Sequence, residues 1–261
     1  MLALLALIAL LAPHSTAAHA RPSTTMQAVP EPDAQVTPGT SRAWALLGSS
    51  VLFERNGDRH DLLAGVERAS PKLGGIKAML EDDWDIKTRD HLLQQLEWLE
   101  HRGHRSDWEK HFRDYGGMSE KEVDARVTRI VEESDRIKWK ALWRNSSRAA
   151  KLKGGVLAWD LGRYVALCRW GHAAGYLTQE EAWKRMDVVV KDLQKAYTSW
   201  EEFGTAYCIG YDCWRPGKGE ETEKAFERLK TSDTSPWKTT PWKQKLVSLE
   251  KVEKVVEKKN K

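Results

Sequence analysis

Three segments with hydrophobic positions at helical spacing each follow a capping signal. Ser119-Glu-Lys-Glu122, Thr178-Gln-Glu-Glu181 and Ser199-Trp-Glu-Glu202 each place a hydroxyl three residues before a glutamate. In such a capping box the hydroxyl accepts a hydrogen bond from the third amide of the helix, while the glutamate reaches back to the cap amide. The pattern therefore predicts helices that begin directly after residues 119, 178 and 199.

Glycines indicate where helices end. Gly103 follows a segment with a basic end, and Gly116-Gly117, Gly154-Gly155 and Gly175 close three further segments. No run alternates apolar and polar residues between turn dipeptides, so strands are absent or marginal. We therefore predict an all-α protein, a single multi-helix globular domain. The predicted helices cover residues 42–55, 70–83, 88–102, 106–115, 120–135, 137–151, 156–174, 179–197 and 200–214.

The segment at 156–174, VLAWDLGRYVALCRWGHAA, is apolar nearly all round and is predicted to be a central buried helix. Asp160 and Arg163 share a face of it, which suits an acid and a base withdrawn from water together. The helix at 200–214 carries an aromatic stripe within one sector, with Gly204 and Gly210 at positions where another helix could approach closely. The stripe consists of Trp200, Phe203, Tyr207, Tyr211 and Trp214.

The N-terminal segment predicts export. Its first twelve residues, MLALLALIALLA, precede Ala18-His19-Ala20, which is typical of a signal peptide and short for a membrane span. No Lys or Arg precedes the apolar run, so an N-terminal anchor in the inner membrane, or a wrong start codon, is the alternative. We predict a signal peptide at 1–20, a disordered linker at 21–40, and a periplasmic or secreted protein.

Export would permit a disulfide among Cys168, Cys208 and Cys213. Cys208 and Cys213 point about 140° apart if they lie on one helix, since each residue advances 100°. The feasible bridge therefore joins Cys168 to one of the other two, and three buried free thiols are the alternative.

Charge is unevenly distributed along the chain. The net charge is +4, and residues 217–261 hold 12 Lys+Arg and 8 Asp+Glu, so this segment alone carries 12 − 8 = +4. The neutral remainder argues against nucleic-acid binding. We predict that the helical domain spans 41–216. Residues 217–261 are predicted to form a basic linker and tail, which contain a short charged helix (219–230), two Pro-Trp repeats and a lysine-rich amphipathic segment from Gln244. This tail is either solvated or in weak contact with an anionic surface or partner helix.

Several motifs in order resemble a bacterial family catalogued as domain of unknown function 1266. They are WDLGRYVALCRWG at 159–171, AGYLTQEEAW at 174–183, YTSWEEFG at 197–204 and GYDCW at 210–214, with looser matches at Trp84-Asp-Ile86 and 96–104. The resemblance covers roughly 43–214. It implies a single α-helical domain and a bacterial source, and it carries no biochemical activity or residue roles.

Candidate ligand-binding residues combine the buried charges with the aromatic stripe: Asp160, Arg163, Arg169, Trp200, Tyr207 and Tyr211. The alternative is a satisfied ion pair that ties the central helix to its neighbours. His101, His104 and His111 accompany arginines at a helix end, where they could bind phosphate or simply complement the helix dipole. Cys168, His172, Cys208 and Asp212 have helical spacing but no CxxC or HExxH, so we predict no metal or other cofactor.

We favour a non-enzymatic exported bacterial binding or interaction protein over an enzyme. It would engage another protein or a ligand through an aromatic-lined groove, and an effector or its neutralising partner would be one form. The alternative is a hydrolase-like enzyme that uses Asp160 with Arg163. No nucleophile or metal motif supports the second interpretation.

Overall fold

The computed structural model describes residues 35–249, and the predicted signal peptide, most of the linker and the end of the tail lie outside this range. The described chain is helical without strands, which confirms the all-α prediction. None of its helices combines the length and apolarity needed to cross a bilayer. The helices are α1 (Ser41–Leu47), α2 (Ser50–Asn56), α3 (Pro71–Trp84), α4 (Arg89–His101), α5 (Arg105–Tyr115), α6 (Glu120–Val127), α7 (Glu133–Ala149), α8 (Leu157–Ala173), α9 (Gln179–Ala196), α10 (Trp200–Trp214), α11 (Glu220–Thr231) and α12 (Pro236–Thr239).

Helix α8 is the centre of the molecule, as its apolar sequence predicts. All residues from 158 to 172 are buried, and α8 packs against α9, α10 and α4. Gly210 permits the close approach of α10, because a Cβ at this position would overlap the side chain of Trp159. Gly204 similarly admits Phe226 of α11. Both glycines therefore have the packing role that the sequence predicts for them.

The predicted helix at 42–55 is wrong in its continuity, because the chain breaks between α1 and α2. Gly48 ends α1, and the Ser49 hydroxyl donates to the Leu46 carbonyl at 2.9 Å. The predicted division between 135 and 137 is also misplaced, since α6 ends at Val127 and α7 begins at Glu133. Continuous helical periodicity hid the first break, and the second falls where glycine and proline give no signal.

Two of the three capping boxes are confirmed. Ser119 with Glu122 and Thr178 with Glu181 make both reciprocal bonds. At the third site the Ser199 hydroxyl accepts from the Glu202 amide, but the Glu202 carboxylate turns to Thr198. The amide and hydroxyl of Thr198 both donate to that carboxylate at 2.6 Å. The neighbouring threonine offers two donors and thereby replaces the cap amide.

The chain beyond Pro216 packs on the helical body, whereas the sequence predicts a linker there. Helix α11 lies against α2 and α10, and Trp237, Trp242 and Leu249 are buried in the same core. The physical reason is that two isolated tryptophans bury large areas in an otherwise polar segment. The described part of the segment 217–261 therefore belongs to the helical domain.

A cluster of tryptophans from α1, α10 and the C-terminal segment holds these parts together. Trp242 lies 4.9 Å from Trp44 and 4.6 Å from Trp200 between ring centroids, and Trp237 stacks on Trp200 at 5.8 Å. The indole nitrogens also have partners. Trp44 donates to the Trp242 carbonyl at 3.1 Å, and Trp200 donates to the Thr240 carbonyl at 2.7 Å. Each ring is thus fixed both by packing and by a directional bond.

All three cysteines are buried free thiols, so neither of the feasible bridges from Cys168 forms. Burial raises the pKa of Cys208 and of Cys213 to about 12. Both thiols therefore stay protonated at neutral pH and behave as small apolar side chains.

Candidate functional site

Asp160 is fully buried on α8 and caps the N-terminus of α5. Its Oδ1 accepts from the His104 amide at 3.0 Å, and its Oδ2 accepts from the Arg105 amide at 3.0 Å. The guanidinium of Arg105 adds a third bond, to Oδ2 at 3.1 Å. A carboxylate at this position satisfies amides that a helix start leaves without partners and opposes the positive end of the helix dipole.

Arg163 makes the fourth bond to Asp160, as the three-residue spacing predicts. Its Nη2 donates to Oδ1 at 2.9 Å, while its Nε donates to the Trp159 carbonyl at 3.0 Å. Burial raises the pKa of Asp160, but the hydrogen bonds that it accepts and the positive charges of Arg163 and Arg105 outweigh burial and leave the pKa below its ordinary value. Asp160 is therefore an ionised acceptor that holds no proton at neutral pH.

His104 is a neutral imidazole within this cluster. Its Nδ1 lies 2.8 Å from Nη2 of Arg163 and 3.7 Å from Oδ1 of Asp160. A guanidinium can only donate, so Nδ1 accepts and the ring proton is assigned to Nε2. Burial lowers the pKa of His104, against the opposing influence of Asp160, and so also favours the neutral ring.

A pocket of about 800 Å³ opens beside Arg163, and we call it the aromatic pocket. Its volume falls within the range of about 300–1,000 Å³ that is typical of small-molecule sites. Seven aromatic side chains from α3, α4, α8 and α10 line it. They are Trp84, Trp98, Trp159, Trp170, Tyr207, Tyr211 and Trp214.

The guanidinium of Arg163 lies between two of these rings. Its Cζ is 4.1 Å from the ring centroid of Trp159 and 5.6 Å from that of Trp84. Two further arginines at the rim lie over rings of the same pocket, Arg55 over Tyr211 and Arg215 over Trp214. Cation–π contacts therefore fix the positive groups of the pocket on its aromatic walls.

The structure divides the six residues that the sequence nominates for ligand binding. Arg163, Tyr207 and Tyr211 line the aromatic pocket, and Asp160 stands behind Arg163 without lining it. Trp200 lies instead in the tryptophan cluster with Trp44 and Trp242.

Arg169 lies apart from the pocket and organises the α1–α2 break and the loop after α2. It is fully buried, with its guanidinium 3.5 Å from the centroid of Phe53. Its five donors reach the Ser49 hydroxyl and four backbone carbonyls, those of Leu46, Arg59, Leu62 and Leu63. Arg169 thus substitutes for missing backbone partners in a segment without regular structure.

Sequence reasoning missed two members of the Asp160 cluster. The sequence places His104 only among histidines and arginines at a helix end, yet His104 and Arg105 follow Gly103, where the chain turns toward α8. The glycine after a basic helix was the available signal.

Over residues 35–249 no group of His, Cys, Asp and Glu is placed to hold a metal ion. Asp212 accepts from Asn145 at 2.7 Å and from the Gly217 amide at 3.2 Å.

Comparison with known proteins places this architecture in a family. Residues 79–242, more than half of the chain, match the family described as "Protein of unknown function (DUF1266)". The chain belongs to this family. The DUF1266 match includes Trp237 and Trp242, so the family region extends over the C-terminal segment that packs on the body. It also contains the Asp160 cluster and most of the aromatic pocket.

One relative comes from Escherichia coli (strain K12). The chain is similar to "Uncharacterized protein YbeU", with 27% identity over an alignment of 197 positions that covers 69% of this chain and 77% of the relative. No solved structure matches the chain significantly.

Proposed function

We propose that this protein binds a small organic ligand in the aromatic pocket and does no covalent chemistry on it. One observation carries the proposal. Arg163 presents its guanidinium to the pocket between two tryptophan rings, while Asp160, the only buried acid among residues 35–249, accepts four hydrogen bonds behind it. Aromatic walls with a few fixed polar groups are characteristic of binding sites.

The arrangement does not favour the hydrolase-like alternative. A general acid or base needs a free position within hydrogen-bond reach of the substrate and a pKa near neutrality. Asp160 has neither, because its oxygens are occupied and its pKa is lowered. Its role in this proposal is to hold Arg163 and the start of α5 in place.

The experiment is a screen of aromatic fragments by ¹H–¹⁵N NMR of the tryptophan indole groups. Peaks of Trp84, Trp98 and Trp214 are assigned by Trp→Phe substitutions and should shift with bound fragments. Gln95 lines the aromatic pocket, so Gln95→Trp should fill it and abolish the shifts. Gln94→Trp is the matched control on the exposed face of α4. Absence of any fragment that shifts these peaks and is blocked by Gln95→Trp would refute the proposal.

We also propose that the protein acts outside the cytoplasm of a bacterium. The apolar N-terminal segment with its Ala18-His19-Ala20 site supports export, and the Escherichia coli relative supports a bacterial setting. In that setting this protein would bind the ligand or a partner protein. It would act as an effector or as the protein that neutralises one. Mass spectrometry of the native protein should find a mature chain that begins at Arg21. Intact Met1 in a cytoplasmic fraction would contradict export.

A further inference from the structure

We propose that the ligand of the aromatic pocket is an organic anion, whose carboxylate or phosphate group binds Arg163 and whose planar apolar body lies on the tryptophans. This inference rests on the proposed function and adds the chemical class of the ligand and its orientation. It follows from charge balance around Asp160, from the free edge of Arg163, and from the distribution of charges between the floor and the rim.

The buried cluster behind the pocket carries one positive charge in excess. Asp160 is a single carboxylate, and it is paired with both Arg105 and Arg163 at 3.1 and 2.9 Å. His104 accepts a hydrogen bond from Arg163 and so contributes no charge. A buried charge without compensation is costly, and Arg163 lines the aromatic pocket, through which an anion can reach its guanidinium.

Arg163 has an unused edge. Its Nε and Nη2 bond to Trp159, Asp160 and His104, whereas its Nη1 has no hydrogen-bond partner among residues 35–249. The residue is 6% exposed and lines the aromatic pocket. Two N–H groups are thus held in a fixed orientation in a largely desolvated position. Such preorganised donors suit an oxyanion, because little entropy is lost when it binds.

The distribution of charge sets the direction of the ligand. Of the charged side chains that line the pocket in the described chain, Arg163 alone is buried. Asp82, Asp83 and Asp85 at the end of α3 are exposed and therefore largely solvated, as are Arg55 and Arg215. An anionic group consequently gains most at the floor beside Arg163, while a cationic group has acidic partners only at the rim.

The size of the pocket requires more than an inorganic ion. About 800 Å³ holds a molecule with several rings or a ring with a chain. Trp84, Trp98 and Trp214 are partly exposed and offer faces on which a planar body can stack. The anion therefore needs an apolar part that covers these rings.

The test uses probes that share one ring system and differ in charge. Naphthoate, naphthamide and naphthylmethylamine are titrated into the full chain by isothermal calorimetry, with naphthyl phosphate and inorganic phosphate as further arms. We expect naphthoate or naphthyl phosphate to bind at least about tenfold more tightly than the amide, as a charge-assisted hydrogen-bonded pair implies. The amine should bind most weakly. The comparison of the first two anions distinguishes a carboxylate from a phosphate ligand.

Arg163→Lys tests the residue, because lysine keeps the charge and loses the planar pair of donors. The anion preference should fall about tenfold, and Arg89→Lys, a surface pair with Glu181, should leave it unchanged. A melting curve establishes that Arg163→Lys is folded, and the probe series on the natural chain decides the question independently of it.

Equal affinity for the three charge types, or a preference that survives Arg163→Lys, would overturn the inference while the proposed binding function stands. No binding of either organic anion at millimolar concentration would also overturn it. Equal affinity for inorganic phosphate and naphthyl phosphate would show that the pocket binds the anion alone and that the aromatic group adds nothing. That result would also overturn the inference. Failure of the fragment screen with its Gln95→Trp block would instead refute the binding function itself.

Discussion

Gly103 lies directly against Asp160, so closely that a Cβ on the glycine would overlap Oδ2 of the carboxylate. Gly103 also has φ +61°, in the left-handed region that glycine tolerates. We expect Gly103→Ala to lower the free energy of unfolding by about 2–4 kcal/mol, the sum of left-handed strain and overpacking. Urea unfolding followed by circular dichroism measures it.

Gly74→Ala is the matched control for Gly103→Ala. Gly74 lies within α3, and a Cβ there meets nothing within 4 Å. We expect this change to raise stability by about 0.5–1 kcal/mol, because alanine restricts the unfolded chain. Similar losses from the two substitutions would mean that contact with Asp160 is not the cause.

Asp160 should matter more to stability than Arg163. Asp160→Ala leaves two amides, Arg105 and Arg163 without their acceptor, and we expect a loss of about 3–5 kcal/mol. After Arg163→Ala the carboxylate keeps three bonds, so a loss of roughly 1–3 kcal/mol is expected. The loss in the double variant should be smaller, by at least about 1 kcal/mol, than the sum of the losses in the two single variants. Additive losses in the double-mutant cycle would argue against a coupled pair.

The C-terminal segment should be essential for the fold. A chain that ends at Pro216 lacks α11, Trp237 and Trp242, so we expect a large fall in melting temperature or loss of cooperative unfolding. In the full chain, Trp242→Ala should cost about 3–5 kcal/mol. Trp214→Ala, at a tryptophan that is 38% exposed, should cost about 1–2 kcal/mol. A truncated chain that melts like the full chain would contradict the packing of this segment.

Glu54 should make stability depend on pH in the acid range. Its bond to His60 lowers the pKa of Glu54 from 4.5 to about 2, with help from Arg228 and against burial. A lowered folded-state pKa gives stability that is complete above about 4.5 and is lost as the pH falls toward 2. Glu54→Gln should therefore destabilise at pH 7, and the difference from the natural chain should shrink by about pH 2–3. A difference that does not vary with pH would contradict the shift.

Local signals predicted the helices well because caps act within a few residues. Ser119 and Thr178 satisfy amides of their own helix, so the sequence contains both partners of each bond. The same locality explains the failures. In the sequence, Gly48 does not differ from a glycine inside a helix. The break at Gly48 depends on Arg169, whose carbonyl partners lie at four positions far from it in the sequence.

The site was predictable in its charges and not in its shape. Helical spacing paired Asp160 with Arg163, because neighbours on one helix face are determined by geometry. The walls from α3 and α4 depend on how separate helices pack, which no local pattern encodes. Trp237 and Trp242 were missed for the same reason, since each is a single large ring in a polar stretch whose partners lie on α1 and α10.

The bond from Trp44 to the Trp242 carbonyl spans a sequence separation of 198 residues. Gln244 adds a second link, to the Thr40 carbonyl at 2.9 Å. The first helix therefore cannot bury its indole until residue 242 has left the ribosome. Such long-range closure slows folding and leaves the chain without a finished core while it is being synthesised. The nascent chain would thus stay open to a holdase throughout its elongation.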